Sequence, residues 1–405
     1  MRILVACQHY WPEPFNTADV CEGLVSRGHE VAVLTGLPNT GMPGNEIPSE
    51  YRVEEGMEEE RNGVRVVRVP LHPRRSGALD RVRNYLSFWR NANRRAHGLE
   101  GGYDVVLGYQ FSPVMQVDPG LVYAREHGVG MLLYCFDLWP ASLMAGGFGE
   151  RSLPFKWMRR VSKRIYSEAD RIAVTSPLFD EYFRGELGLE IPDSVYLPQY
   201  ADDAFLSDRT ERAEGFDLSK INLTFAGNVG KAQSVDTIVK AAALVDDSRV
   251  VFHIVGSGSM LDECKRLAGD LGVPNVVFHG RHPVEEMPAF YASSDAMLVT
   301  LDDSPMAHYT LPRKVTTYLA AGRPVLAALS GETERVVSDA GCGLSCATGD
   351  AEGLARIVRE FASMDPGARE ELGARARGYY AAHFTKEGFF ETLEDQLEQL
   401  AEERR

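Results

Sequence analysis

Strand-length apolar runs alternate with helix-length amphipathic stretches, and the pattern occurs twice over in one chain. In the first half, 2–7 is a run of buried-strand type, and 17–27 carries Val20, Leu24 and Val25 at helical spacing behind Thr17 as N-cap. Gly28 then stops the helix and 30–34 resumes a strand. Two strands joined by a crossover helix pair in parallel, so this unit predicts a parallel sheet. Further strands are expected at 64–69, 103–108, 130–136, 171–175 and 194–197, with a helix near 116–127. The second half restarts with strands at 221–226, 250–255, 276–278, 296–300 and 324–327, and with helices at 234–245, 259–271, 285–292, 313–321 and 351–362. A charged amphipathic helix, 385–405, closes the chain with no strand after it. The 405 residues exceed one ordinary core and suit two domains of about 200 each. The expected fold is therefore α/β. Two doubly wound, Rossmann-like domains, 1–200 and 201–383, would be followed by a terminal helix, 384–405, packing back on the first.

Charge narrows the function. A formal net charge of −15 disfavours a nucleic-acid partner, because phosphate affinity comes from Lys and Arg. Six cysteines are scattered, and the one close pair, Cys342 and Cys346, has no His or Cys cluster beside it to complete a zinc site. They read as reduced thiols of a cytoplasmic protein. Met1-Arg2 leads straight into a short apolar run broken by Gln8-His9, unlike a signal peptide. No apolar run reaches the ~20 residues of a membrane span.

Open α/β sheets bind ligands at the carboxyl ends of their strands. In the second half three strand ends carry glycine: Gly227-Asn228-Val229-Gly230, Gly256-Ser257-Gly258, and His279-Gly280. Small residues there let backbone N–H groups approach phosphates. A Gly-x4-Gly-Lys-Ser/Thr loop is absent, and the first strand lacks Gly-x-Gly-x-x-Gly, which disfavours P-loop ATPases and dinucleotide dehydrogenases. The most informative segment is Leu311-Pro312-Arg313-Lys314, which places two cations in the first turn of a helix. Positive charge there costs roughly 0.3–1 kcal/mol, a conflict that a bound diphosphate would reverse.

Specific motifs then point to a family. Arg27-Gly28-His29-Glu30 running into 31–36 with Pro38-Asn39, Asp137-Leu138-Trp139-Pro140, Gly227-Asn228-Val229-Gly230 with Gln233, and Leu311-Pro312-Arg313-Lys314 with Ala321-Gly322-Arg323-Pro324 resemble family 4 glycosyltransferases. Within that family the likeness is to the bacterial O-antigen and capsule branch, which includes fucosamine-transferase-like enzymes. The resemblance implies a GT-B fold, with two Rossmann-like domains facing each other across a cleft. It also implies a nucleotide-sugar donor, UDP-linked, on the second domain, an acceptor on the first, retention at the anomeric carbon, and no metal or other cofactor. Asp302-Asp303 and Asp246-Asp247 accordingly read as turns. The family's diphosphate-neutralising Arg and Lys fall on Asn228 and Gln233, and its Glu-x7-Glu pair on Tyr309 and Thr317. The cation is therefore expected at Lys314, supported by Arg313 and Lys231. Gly227, Asn228, Gly230, Gly256, Gly258 and Thr317 would complete the donor site, and Asp137 would act on the sugar or acceptor, with an N-cap as its alternative role.

Two stretches depart from the acidic average. Residues 72–98 hold seven Arg and one acid among Leu79, Val82, Tyr85, Leu86, Phe88 and Trp89, and 151–166 hold six cations and no acid among Trp157, Met158, Val161 and Ile165. Cationic helices with aromatic anchors suit an anionic membrane surface, so peripheral association and a polyprenyl-diphosphate-linked or saccharide acceptor are expected. The rival readings are a nucleotide-sugar epimerase of similar two-domain fold and a catalytically inactive nucleotide-sugar-binding partner.

Overall fold

A computed structural model describes residues 1–52, 57–75, 77–191, 194–206 and 211–404, and the side chains of 145, 146 and 305 are outside this description. The chain divides into two units, Met1–Leu197 with Phe390–Arg405, and Pro198–Phe389.

The first unit is built on eight strands: β1 (Arg2–Ala6), β2 (Glu30–Gly36), β3 (Met57–Arg61), β4 (Val64–Val69), β5 (Val105–Gln110), β6 (Gly130–Cys135), β7 (Arg171–Val174) and β8 (Val195–Tyr196). Their order is β3-β4-β2-β1-β5-β6-β7-β8. All neighbours pair in parallel except β3, which runs antiparallel to β4 at the edge. That edge strand corrects the all-parallel expectation. Its sequence, Met-Glu-Glu-Glu-Arg, has no apolar alternation to reveal it, and charge suits an edge because it blocks pairing with another chain. Central strands β5 and β6 are buried on both faces and read as continuous apolar runs. Thr17 is not the N-cap of its helix; Asn16 holds that place, and Thr17 is the first helical residue, fully buried.

From Phe390 onward the terminal helix Lys386–Glu403 packs within this first unit. Gly23 makes room for the Phe390 ring, since a Cβ there would lie 2.1 Å from its Cζ. Glu394 accepts from Arg27 at 3.0 Å and pairs with His29 at 2.8 Å, and Glu403 pairs with Arg171 at 2.8 Å.

The second unit holds β9 (Ile221–Ala226), β10 (Val250–Val255), β11 (Val276–Gly280), β12 (Ala296–Thr300), β13 (Val325–Ala328) and β14 (Gly343–Cys346), all parallel, in the order β11-β10-β9-β12-β13-β14. One face packs Leu223, Phe225, Phe252 and Ile254 against the helices Val235–Leu244 and Ala351–Ser363. Strand β14 and the helices Glu332–Ala340 and Pro366–His383 were not expected from periodicity. Only four residues long, with Gly and Ser among them, β14 is too short to carry a periodic signal. All six cysteines are buried and unbridged. Among the described residues no helix is long and apolar enough to cross a membrane.

Candidate functional site

In a parallel sheet wound outward in both directions, the loops leaving adjacent central strands diverge and open a crevice. In the second unit this occurs between β9 and β12. The loop after β9 exposes Gly227 and Asn228, and the loop after β12 leads toward helix Arg313–Ala320.

That helix forms against its own propensities, since Val315, Thr316 and Thr317 are β-branched. Burial of Val315, Tyr318, Leu319 and Ala320 holds it in place. The Tyr318 hydroxyl ties it to the sheet, donating to the carbonyls of Ala226 at 3.3 Å and Leu298 at 3.5 Å. Pro312 occupies its N-cap position, so Lys314 lies in the first turn, next to the end of β9.

Lys314 Nζ donates to Gln233 Oε1 at 2.6 Å and lies 4.1 Å from the centre of the Phe225 ring. It is only partly exposed, and burial pushes its ammonium down to about 7. The first turn of a helix adds no favourable field for a cation. What results is a desolvated amine without a carboxylate partner among the described residues, oriented by a neutral amide and an aromatic face. Gln233 is itself braced: its carbonyl accepts from Thr300 Oγ1 at 2.6 Å, and the Asp302 N–H donates to the Ala232 carbonyl at 2.9 Å. The loops after β9 and β12 are thus fastened together beneath the amine.

Gly227 has a φ of 144°, and a Cβ there would come within 3.1 Å of Lys314 Nζ. The other glycines serve loop packing. A Cβ at Gly256 would lie 1.8 Å from the Gly227 carbonyl, and one at Gly258 would lie 2.3 Å from that of Val229. The Asn228 amide fits beside Gly230 and Gly258, either of which would crowd it at 2.6 Å if it bore a Cβ. The N–H groups of Gly227, Val229 and Gly256 are spent on the carbonyls of Val255, Ser257 and Gly280, at 2.9, 2.9 and 2.7 Å. Those of Gly227 and Gly256 are thus engaged between neighbouring strand ends and are not open to a phosphate in this arrangement.

The remaining expected residues are placed unevenly. Arg313 is exposed, and its charge acts on the Tyr380 hydroxyl. Lys231 is exposed on the turn Lys231–Gln233. Thr317 is buried, and its hydroxyl donates to the Arg313 carbonyl at 3.1 Å, leaving it only acceptor capacity. Gln233, Thr300 and Phe225 carry the site with Lys314, and the spacing of motifs alone did not single out Thr300 or Phe225. Among the described residues no group of three or more His, Cys, Asp or Glu side chains could hold a metal ion.

In the first unit the corresponding divergence lies between β1 and β5. Asp137 follows β6, one strand further on. Its carboxylate accepts a short hydrogen bond from Ser112 Oγ, which in turn accepts from Trp139 Nε1 at 3.1 Å. Burial raises the Asp137 pKa, with the Ser112 bond opposing. Asp137 caps no helix: the next turn, Ala141–Gly146, has Pro140 at its N-cap. Beside the end of β1 lies a buried polar network that the sequence signalled only by Gln8-His9 interrupting an apolar run. Gln8 Nε2 donates to Asn84 Oδ1 at 2.6 Å, His9 Nδ1 pairs with Glu13 Oε2 at 2.8 Å, and Glu13 Oε1 accepts from the Asn39 and Thr40 N–H groups at 2.9 and 2.6 Å.

The two basic stretches form helices Ala78–His97 and Leu153–Glu168. Each turns part of its apolar content inward, through Phe88 and Ala92 and through Met158 and Ile165. Each also leaves apolar side chains outside among cations: Leu79 (73% exposed), Val82 and Leu86 on the first, Leu153 (81%) and Trp157 on the second. Trp89 and Trp157 meet edge to face at 6.5 Å, which sets the two helices side by side.

Comparison with known proteins follows the same division. Residues 16–198 match the family model "Glycosyl transferase 4-like domain" and residues 207–379 the model "Glycosyl transferases group 1". Among curated relatives, a "Probable glycosyltransferase WbjE" of Pseudomonas aeruginosa is 29% identical over 65% of this chain and 67% of its own. A "Putative colanic acid biosynthesis glycosyl transferase WcaI" of Escherichia coli K12 is 24% identical over 82% and 84%. Among solved structures, sucrose-phosphate synthase of Thermosynechococcus elongatus superposes with a TM-score of 0.73 at 18% identity, covering 98% of both chains. Anabaena HepE, in complex with UDP and glucose, superposes with a TM-score of 0.69 at 15% identity, covering 98% of this chain and 99% of that one.

Proposed function

We propose that this chain, whose two halves match a glycosyl transferase 4-like domain and a glycosyl transferases group 1 domain and whose fold is GT-B, is a glycosyltransferase that moves a sugar from a UDP-sugar, with retention, to a polyprenyl-diphosphate-linked or saccharide acceptor in cell-surface polysaccharide assembly. The observation that carries this reading is Lys314: a desolvated amine with no carboxylate partner among the described residues, at the sheet's topological switch, has the form of a receptor for a diphosphate. The names of the relatives, one assigned to colanic acid biosynthesis, support the polysaccharide setting. The UDP bound by HepE supports the choice of nucleotide.

In this reading the donor diphosphate lies against Lys314, whose ammonium becomes fully charged as the anion replaces lost hydration. As the bond from the anomeric carbon to the diphosphate breaks, negative charge grows on the leaving oxygen, and Lys314 stabilises it in place. The leaving phosphate takes the proton of the attacking hydroxyl on the same face, which gives retention. Gln233 orients Lys314 without neutralising it. Asp137, held by Ser112, binds a sugar or acceptor hydroxyl, and no protein-bound metal takes part. The exposed apolar and cationic side chains of helices Ala78–His97 and Leu153–Glu168 would seat the enzyme on the anionic inner face of the cell membrane, where a lipid-linked acceptor resides.

Incubating the purified chain with UDP-sugars and a membrane extract, then following radiolabel into the lipid-linked fraction, tests the reading. Epimerised donor, or binding with no turnover, would replace it with one of the two rival readings.

A further inference from the structure

The edge of the second sheet opposite Lys314 carries another concentration of cations. A cavity of about 740 Å³ opens there, where Ile221 begins β9 and where Asp295 and Pro324 immediately precede β12 and β13. Strand β9 is six residues long, so this cavity lies about 20 Å from the Gly227 loop, at roughly 3.3 Å per residue. One ligand cannot fill both places.

Arg323, Arg369, Arg377 and Lys220 line the cavity, with Asp295 and Glu370 as the acids among its described walls. Arg323 donates to the carbonyls of Ser294 at 3.0 Å and Ala292 at 3.3 Å, and Arg369 reaches Asp295 Oδ1 at 3.8 Å. The other oxygen of Asp295 is taken by the Asn222 N–H at 2.7 Å. After these contacts the Nε–H groups of both Arg323 and Arg369 remain buried, with no acceptor among the described residues. Both Nε–H groups are enclosed by protein, so what the cavity offers a ligand is the charge of its walls, with four cations against two acids and Asp295 already engaged. Electrostatics agree. Burial first, then the charges of Arg212 and Arg377, depress the Arg323 guanidinium below its ordinary range, with Asp295 opposing.

We propose that this cavity binds a small phosphate-bearing anion, drawn by the net positive charge of its walls. A phosphate monoester carries a charge of about −1.5 to −2 at neutral pH and three acceptor oxygens, which suits several guanidinium groups better than a single carboxylate would. The volume exceeds that of inorganic phosphate, and Leu218 and Pro366 on the walls offer apolar contact to an organic portion.

Isothermal titration of the full chain with glucose 6-phosphate, inorganic phosphate and glucose tests this. Lys314→Ala removes the donor-edge cation, so binding that survives in that variant reports on the second cavity. Arg369→Gln removes a lining charge. Ala374→Glu places a carboxylate on the exposed helical wall at a position that tolerates Glu, which covers the case in which Arg369→Gln misfolds. The expected result is phosphate binding in wild type and Lys314→Ala, weakened at least tenfold by Ala374→Glu and Arg369→Gln, with glucose inert. Glucose 6-phosphate tighter than inorganic phosphate assigns an organic phosphate; equal affinity assigns the free ion. No phosphate binding, or binding indifferent to both wall variants, overturns the proposal.

Discussion

Lys314 Nζ lies 2.6 Å from Gln233 Oε1, although the two residues are 81 apart in the chain. The partner matters because it is neutral. A carboxylate at the same place would hold the ammonium charged and quench its field, whereas an amide fixes its direction and leaves the charge for a ligand. Gln233 stands where related sequences are expected to carry a lysine, so the cation arises instead from the helix facing it.

Replacing Lys314 by Ala should lower the transfer rate about 10²–10³-fold, the usual effect of removing one donor aimed at developing charge. Steady-state transfer from UDP-sugar measures this. An unchanged rate would remove Lys314 from the reaction.

The donor should bind more weakly as pH rises. Free Lys314 titrates at about 7, and only the ammonium form attracts the diphosphate. Affinity should therefore hold below that pH and fall by about tenfold per unit above it, until the bound form itself titrates. Lys314→Arg, permanently charged, should flatten the profile in calorimetric titrations.

Stability carries the opposite signature. Unfolded lysine titrates near 10.4, so the folded chain binds fewer protons between about 7 and that value, and stability rises with pH across this window. The penalty is complete below about 7. Lys314→Met should raise the melting temperature most at pH 6 and progressively less toward pH 10, as seen by scanning calorimetry.

Glycine substitutions should differ in sign. Gly256→Ala forces a Cβ to 1.8 Å from the Gly227 carbonyl at a φ of 143° and should cost about 2 kcal/mol or more. Gly269→Ala, in helix Leu261–Asp270 with open space around it, should stabilise by about 0.4–1 kcal/mol. Urea midpoints of the two variants decide it.

Flotation with anionic liposomes should fail when Leu79, Leu153 and Trp157 are replaced by Ser, and should weaken steeply between low and high salt in the parent. Flotation that persists in the triple variant would move the contact elsewhere.

Much of the architecture was legible because strand and helix periodicities are local: Val20 and Leu24 on one face, or the continuous apolar run of β6, follow from backbone geometry within a few residues. The repeat of the strand–helix pattern in the second half and the position of Lys314 in the first turn of its helix were legible in the same way. The charged edge strand β3 and the four-residue β14 escaped, since neither carries enough apolar pattern.

The chemistry of the site depended on strand order. Only the placement of β12 beside β9 brings Thr300 and Lys314 to Gln233, and only the approach of two loops shows that Gly256 serves the Gly227 carbonyl. The desolvation that lowers Lys314, the Ser112 hydroxyl on Asp137 and the cation-lined cavity at the opposite edge of the second sheet are likewise tertiary facts. Sequence determined which elements form, because their periodicity is set by near neighbours. Tertiary structure decided which side chains lose water and which partners they meet, because burial and hydrogen bonding depend on distance in space and not along the chain.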